Sequence, residues 1–149
     1  MPANMYGKAF GSVLGGYSSG DAYAVDLLSD TMKLMLCTAS YTPDLDAHQF
    51  KSDVTNEITG TGYTAGGVTL AGKTLTYSSG SNKTIFDCND AVWAAATITF
   101  RYAILYKSTG TNSTSPLIGI MDFGSDVAST GGDATVVFNA GGVWELTAN

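Results

Sequence analysis

Residues 31–50, TMKLMLCTASYTPDLDAHQF, hold one of two cysteines, the only histidine and a close pair of aspartates. A hydrolytic triad would need His48 between a nucleophile such as Cys37 and an orienting carboxylate such as Asp44 or Asp46. The pattern argues against this. His48 sits between Ala47 and Gln49 on what reads as the exposed side of a short helix, while Cys37 ends an apolar strand. No catalytic residue is assigned, and His48 reads as a surface histidine.

Metal and phosphate chemistry fare no better. Zinc needs about four ligands of recognisable spacing, and the chain has two cysteines and one histidine. The oxygen ligands of Asp44-Leu45-Asp46 and of Asp87-Cys88-Asn89-Asp90 do not extend into a full calcium-binding loop. Such acids ordinarily cap turns and helices. Gly72-Lys73-Thr74 resembles the tail of a phosphate-binding loop, but the upstream glycine is misplaced and a strand pattern follows. There is no Gly-x-Ser-x-Gly elbow. No cofactor or metal is expected.

Aromatic rings remain. Trp93, Trp144, Phe86, Phe100, Phe123 and Phe138 lie in strand patterns and are expected in the core. Tyr41, Tyr63, Tyr77 and Tyr106 flank turns, where a glycan-binding module would display them; core packing is the better reading.

The elements that would position these groups are strands. In TMKLMLCT, Met32, Leu34 and Leu36 alternate with Lys33, Met35 and Cys37, and both faces are mostly apolar, as in a strand covered on both sides. Pro43 ends it, and DLDAHQFKSDV predicts a one-sided short helix capped by an aspartate. Short strands broken by glycines follow, with TLTYSSGSNKTIFD as a hairpin. AAATITFRYAILYK predicts a long strand with Ile98, Phe100, Tyr102, Ile104 and Tyr106 on one face. LIGIMDFG predicts another, and DATVVFNAGGVWELTA a last hairpin turned at Asn139–Gly142. The expectation is an all-β fold: a single-domain antiparallel β-sandwich, jelly-roll-like or immunoglobulin-like, over residues 24–149. Residues 1–23, rich in glycine and serine, read as an N-terminal arm ordered against a partner.

A chain of 149 residues suits one domain. Charged residues make up only 13%, about half the usual share, and the net charge is −6 with a single arginine. A basic stripe for nucleic acid is missing, an anionic membrane surface is a poor partner, and no apolar run is long enough to span a bilayer. The N-terminus does not resemble a signal peptide, and Cys37 and Cys88 are expected as buried thiols in a reducing compartment.

Taken in order, LLSDTMKLMLCTASYTPDLDAHQFKSDVTNEITGTGYTAGG, LAGKTLTY, ITFRYAILYKSTGT and SPLIGIMDFG resemble a group of small virion structural proteins of tailed bacteriophages. The resemblance covers residues 27–147. It implies a non-enzymatic protein of the virion, assembled in the host bacterial cytoplasm. A capsid decoration (cement) protein, bound to the major capsid protein and to copies of itself, is the first expectation. A tail or fibre component with a receptor- or glycan-binding role is the alternative. Residues 1–23 and exposed strand edges are the expected contacts.

Overall fold

The computed structural model describes residues 4–14, 24–139 and 141–147. Within them the chain is an all-β single domain with two antiparallel sheets and one short α-helix. The elements are β1 (Asn4–Met5), α1 (Gly7–Leu14), β2 (Met32–Cys37), β3 (Val68–Thr69), β4 (Thr74–Ser78), β5 (Lys83–Asp87), β6 (Ala91–Lys107), β7 (Leu117–Val136) and β8 (Trp144–Thr147). The larger sheet runs β1-β7-β6-β2-β3 and the smaller β4-β5-β8.

The larger sheet is the middle layer. Met32, Leu34 and Leu36 of β2 enter one apolar cluster with Phe86 of the small sheet, while Met35 and Cys37 enter a second cluster with Tyr6, Ala9 and Tyr41. The two-faced burial expected of β2 is therefore present. Its cause is that the small sheet covers one face and the N-terminal segment with the 41–54 loop covers the other.

The long strand β6 forms, yet its expected face is split. Ile98 and Phe100 join the first cluster, as do Ala103 and Leu105, whereas Tyr102, Ile104 and Tyr106 join the second. The change falls where the register slips: Phe100 pairs with Val127 but Tyr102 with Asp122, so residues 123–126 of β7 stand opposite Arg101 alone. Such an irregularity interrupts the alternation of side chains. The first cluster thus takes even-numbered residues just before Arg101 and odd-numbered ones after it, while the even-numbered residues after it enter the second.

Three expectations are corrected. The helix predicted over DLDAHQFKSDV is a set of turns ending in one 3-10 turn, Lys51–Asp53. Asp44 Oδ1 accepts the amides of Asp46 and Ala47, and Asp53 Oδ2 those of Gln49 and Phe50, which holds the backbone in local turns. The helix lies instead at Gly7–Leu14, inside the expected arm. There β1 pairs with Ile120 and Gly119 of β7, and α1 sets Ala9 into the second cluster and Val13 against the first. Residues 15–23 of that arm lie outside the described residues. Finally, the last hairpin does not pair its own arms. LIGIMDFG and the arm before Asn139 are parts of one strand, β7, while β8 pairs with β5 in the other sheet. Gly142 N donates to Asn139 O at 2.7 Å, so the turn itself is present and carries the chain from one layer to the other.

Candidate functional site

The residues singled out for chemistry are drawn into structural bonds. Cys37 and Cys88 are both free and buried, in different apolar clusters. Burial foremost pushes both thiols up to about 12, the carboxylate of Glu57 adding to Cys37 and those of Asp87 and Asp90 to Cys88. A thiol held that high carries almost no thiolate at neutral pH and is not a nucleophile.

His48 does not approach solvent alone. Its Nδ1 lies 2.9 Å from the Tyr41 hydroxyl, which lies 3.0 Å from the hydroxyl of Tyr6. The amide of Asp44 points to the same Nδ1 at 3.4 Å. The expected surface histidine is thus part-buried and ends a hydrogen-bonded row, which the sequence does not signal because Tyr6 is far away along the chain. The Asp44 carboxyl is held below the usual range, first by the Ala47 amide and then by that of Asp46.

At the other acidic loop Asp87 Oδ1 accepts the Cys88 amide at 2.9 Å, and Asp90 Oδ1 accepts that of Phe138 at 2.9 Å. Asp44, Asp87 and Asp90 thus act as backbone caps, the role expected of such acids. Among the described residues no group of three or more His, Cys, Asp or Glu is placed to hold a metal ion. Glu57 is similarly engaged: its Oε1 accepts from the Tyr63 hydroxyl at 2.7 Å and from the Gly66 amide, and Oε2 lies 3.6 Å from Lys51 Nζ. It borders a polar depression of about 400 Å³ whose lining includes Thr38, Thr59, Thr97, Thr99 and Ser129.

The turn tyrosines do not form a displayed platform. Tyr41 and Tyr106 are each 2% exposed. Tyr63 stacks on Trp93 with centroids 6.3 Å apart, and its hydroxyl accepts the Leu36 amide. Tyr77 alone of the set is open, at 63%. The rings at these turns pack, as the core reading expected, with Tyr77 as the exception.

What the surface does offer is an apolar cleft of about 620 Å³ between the small sheet and the N-terminal segment. The register of the small sheet builds one wall. Leu75, Phe86 and Trp144 align across β4, β5 and β8, as do Tyr77, Thr84 and Leu146, so all six share one face. Phe86 and Trp144, at one end of that face, pack against the first cluster. Leu75 in the same row, and Tyr77 and Leu146 in the other, are exposed. Met5, Phe10, Val13, Leu27 and Leu45 line the cleft with it.

Gly119 makes the closed end possible. A Cβ there would stand 2.7 Å from Cζ2 of Trp144, so glycine lets the indole approach β7 this closely. The indole nitrogen of Trp144 is buried with no hydrogen-bond partner among the described residues. Glu145, the one charged residue lining the cleft among the described residues, is paired with Lys83. The cleft is therefore apolar and close to neutral on a chain whose net charge is −6. Sequence reasoning missed it because one wall comes from α1, where an arm ordered against a partner was expected.

No helix among the described residues is long and apolar enough to cross a membrane. Comparison of the chain with protein-family models, with curated proteins and with solved structures found no match.

Proposed function

We propose that this chain is a non-enzymatic structural protein of a bacteriophage virion, and specifically a capsid decoration protein. It binds the lattice of the major capsid protein from outside, associates with copies of itself, and stabilises the shell by adding buried contact area. The phage context rests on the resemblance of residues 27–147 to small virion proteins. The observation that carries the binding role is the open apolar cleft, with Phe10, Leu75 and Leu146 exposed around it. A solvent-exposed apolar patch of this kind marks a surface that another molecule covers. The engagement of Cys37, His48, Asp44 and Glu57 in packing and backbone bonds supports a role without catalysis. Many equivalent weak contacts over a lattice sum to firm attachment.

The test adds purified protein to shells that lack it and follows their resistance to heating. Wild-type protein is expected to raise it, and Leu146→Glu, which places a charge in the cleft at a position already 55% exposed, is expected not to. No gain with wild-type protein overturns the decoration role. Copy number per virion by quantitative mass spectrometry separates the sites: a simple ratio to the coat protein fits the capsid, and a handful of copies moves the chain to the tail or fibres.

A further inference from the structure

We propose that His48 is an acid-operated latch on the N-terminal strand and helix: a proton on its Nδ1 releases residues 4–14 from the sheet they cover. The inference stands on the row Tyr6–Tyr41–His48 and does not depend on the capsid reading.

The direction of the row is fixed by its end. The Asp44 amide at 3.4 Å can only donate, so Nδ1 is the acceptor and the neutral ring carries its proton on Nε2. Tyr41 then donates to Nδ1, at 2.9 Å, and accepts from Tyr6, at 3.0 Å. Every hydroxyl proton in the row has an acceptor.

A proton on Nδ1 reverses that order. The imidazolium must donate to Tyr41, Tyr41 to Tyr6, and the Tyr6 hydroxyl proton is left without an acceptor at a side chain that is 0% exposed. The Asp44 amide is then aimed at an N–H instead of a lone pair. The alternative is for the ring to leave Tyr41. The charged groups that face it are the carboxylates of Asp44 and Asp53 from its own loop and, from α1, Lys8, whose ammonium donates to the Ala47 carbonyl at 3.0 Å. Asp46, the remaining acid of the turn, faces the start of α1 at Gly7.

The same turn is the seat of the N-terminal segment. Gly7 N donates to Leu45 O at 2.8 Å and Lys8 Nζ to Ala47 O, while His48 N closes the turn on Asp44 O at 3.1 Å. Disturbing the turn therefore loosens both the tyrosine row and these two anchors. Phe10 and Val13 ride on the released segment and form part of one wall of the cleft, so acid opens the cleft.

His48 is the only histidine of the chain, and imidazole is the side chain type that gains a proton in mild acid. The test is hydrogen exchange on the full chain, read as protection factors so that the intrinsic effect of pH cancels. Between about pH 8 and pH 5 the amides of residues 8–14 are expected to lose about tenfold in protection, with β2 and β6 unchanged. His48→Asn keeps an acceptor near Nδ1 and is expected to hold protection level across the range. Tyr41→Phe, which cuts the row at its middle, is the second variant and is also expected to be pH-independent. Flat protection in the wild type, an equal fall in both variants, or a fall spread evenly over both sheets overturns the latch.

Discussion

Gly67 lies so close to Leu34 that a Cβ on it would stand 1.8 Å from the Leu34 carbonyl oxygen. Its φ of +71° is also one that residues with a side chain rarely adopt. The contact seats the 57–67 loop directly on β2, beside the Tyr106 hydroxyl that donates to Gly66 O at 2.8 Å.

Gly67→Ala is therefore expected to be among the costliest single-methyl changes in the chain. The clash is with backbone, which cannot swing aside, and the left-handed conformation adds to it. Together they cost about 3 kcal/mol, a large part of the stability of a domain this size. A urea unfolding curve with an unchanged midpoint would refute the expectation.

Ala95 presents the opposite case. It sits at φ 46° where β6 and β7 slip register, with its amide donating to Asp133 Oδ1 at 3.0 Å. Glycine relieves the strain of a side chain in that conformation and loses little packing, since the residue is exposed. Ala95→Gly is expected to stabilise by about 0.5 kcal/mol, the net of relieved strain and a freer unfolded chain. Equal or lower stability would count against the strain.

The two thiols set an alkaline limit. Their folded values, about 12, lie above the usual thiol range, so the fold favours the protonated form. Their contribution is complete below the unfolded thiol value of about 8.5 and is lost as pH rises from there toward the folded value. Unfolding free energy should therefore decline above about pH 9, and a thiol-specific reagent near pH 8 should label neither cysteine until urea is added. Fast labelling of the native chain would contradict their burial.

On the acid side the sign reverses. Asp53 is held below the usual carboxylate range, chiefly by the Phe50 amide and then by Gln49. Its stabilisation is present above the unfolded value of about 3.9 and is lost as pH falls through the lower folded value. Asp53→Asn should be less stable near neutral pH by about 1 kcal/mol or less, the carboxylate being largely solvated, and the gap should close at low pH. A gap independent of pH would assign the loss to packing instead.

The β2 strand and the β4–β5 hairpin are legible in the sequence because their alternation and turn residues point one way. The split face of β6 is not. Ile98 through Tyr106 alternate in type without a break, and nothing in that pattern marks the irregularity at Arg101 where the register with β7 slips. Helix α1 escapes for another reason: its buried positions are Ala9 and Ser12, too small to write an apolar stripe, and Gly7 and Gly11 lower its intrinsic propensity. The segment around His48 misleads in the opposite sense. Leu45, Phe50 and Val54 have loose helical spacing, yet Asp44 and Asp53 offer the backbone nearer acceptors than a helix would. The row Tyr6–Tyr41–His48 joins residues far apart in the chain, and no local signal announces it.

The middle sheet separates two apolar clusters, and β2 sends alternate residues to each. Helix α1 reaches both, with Ala9 in one and Val13 against the other, and it shares the cleft with the small sheet. A substitution that shifts this helix is therefore felt on both sides of the sheet, and the surface of the cleft and the tyrosine row change together over generations.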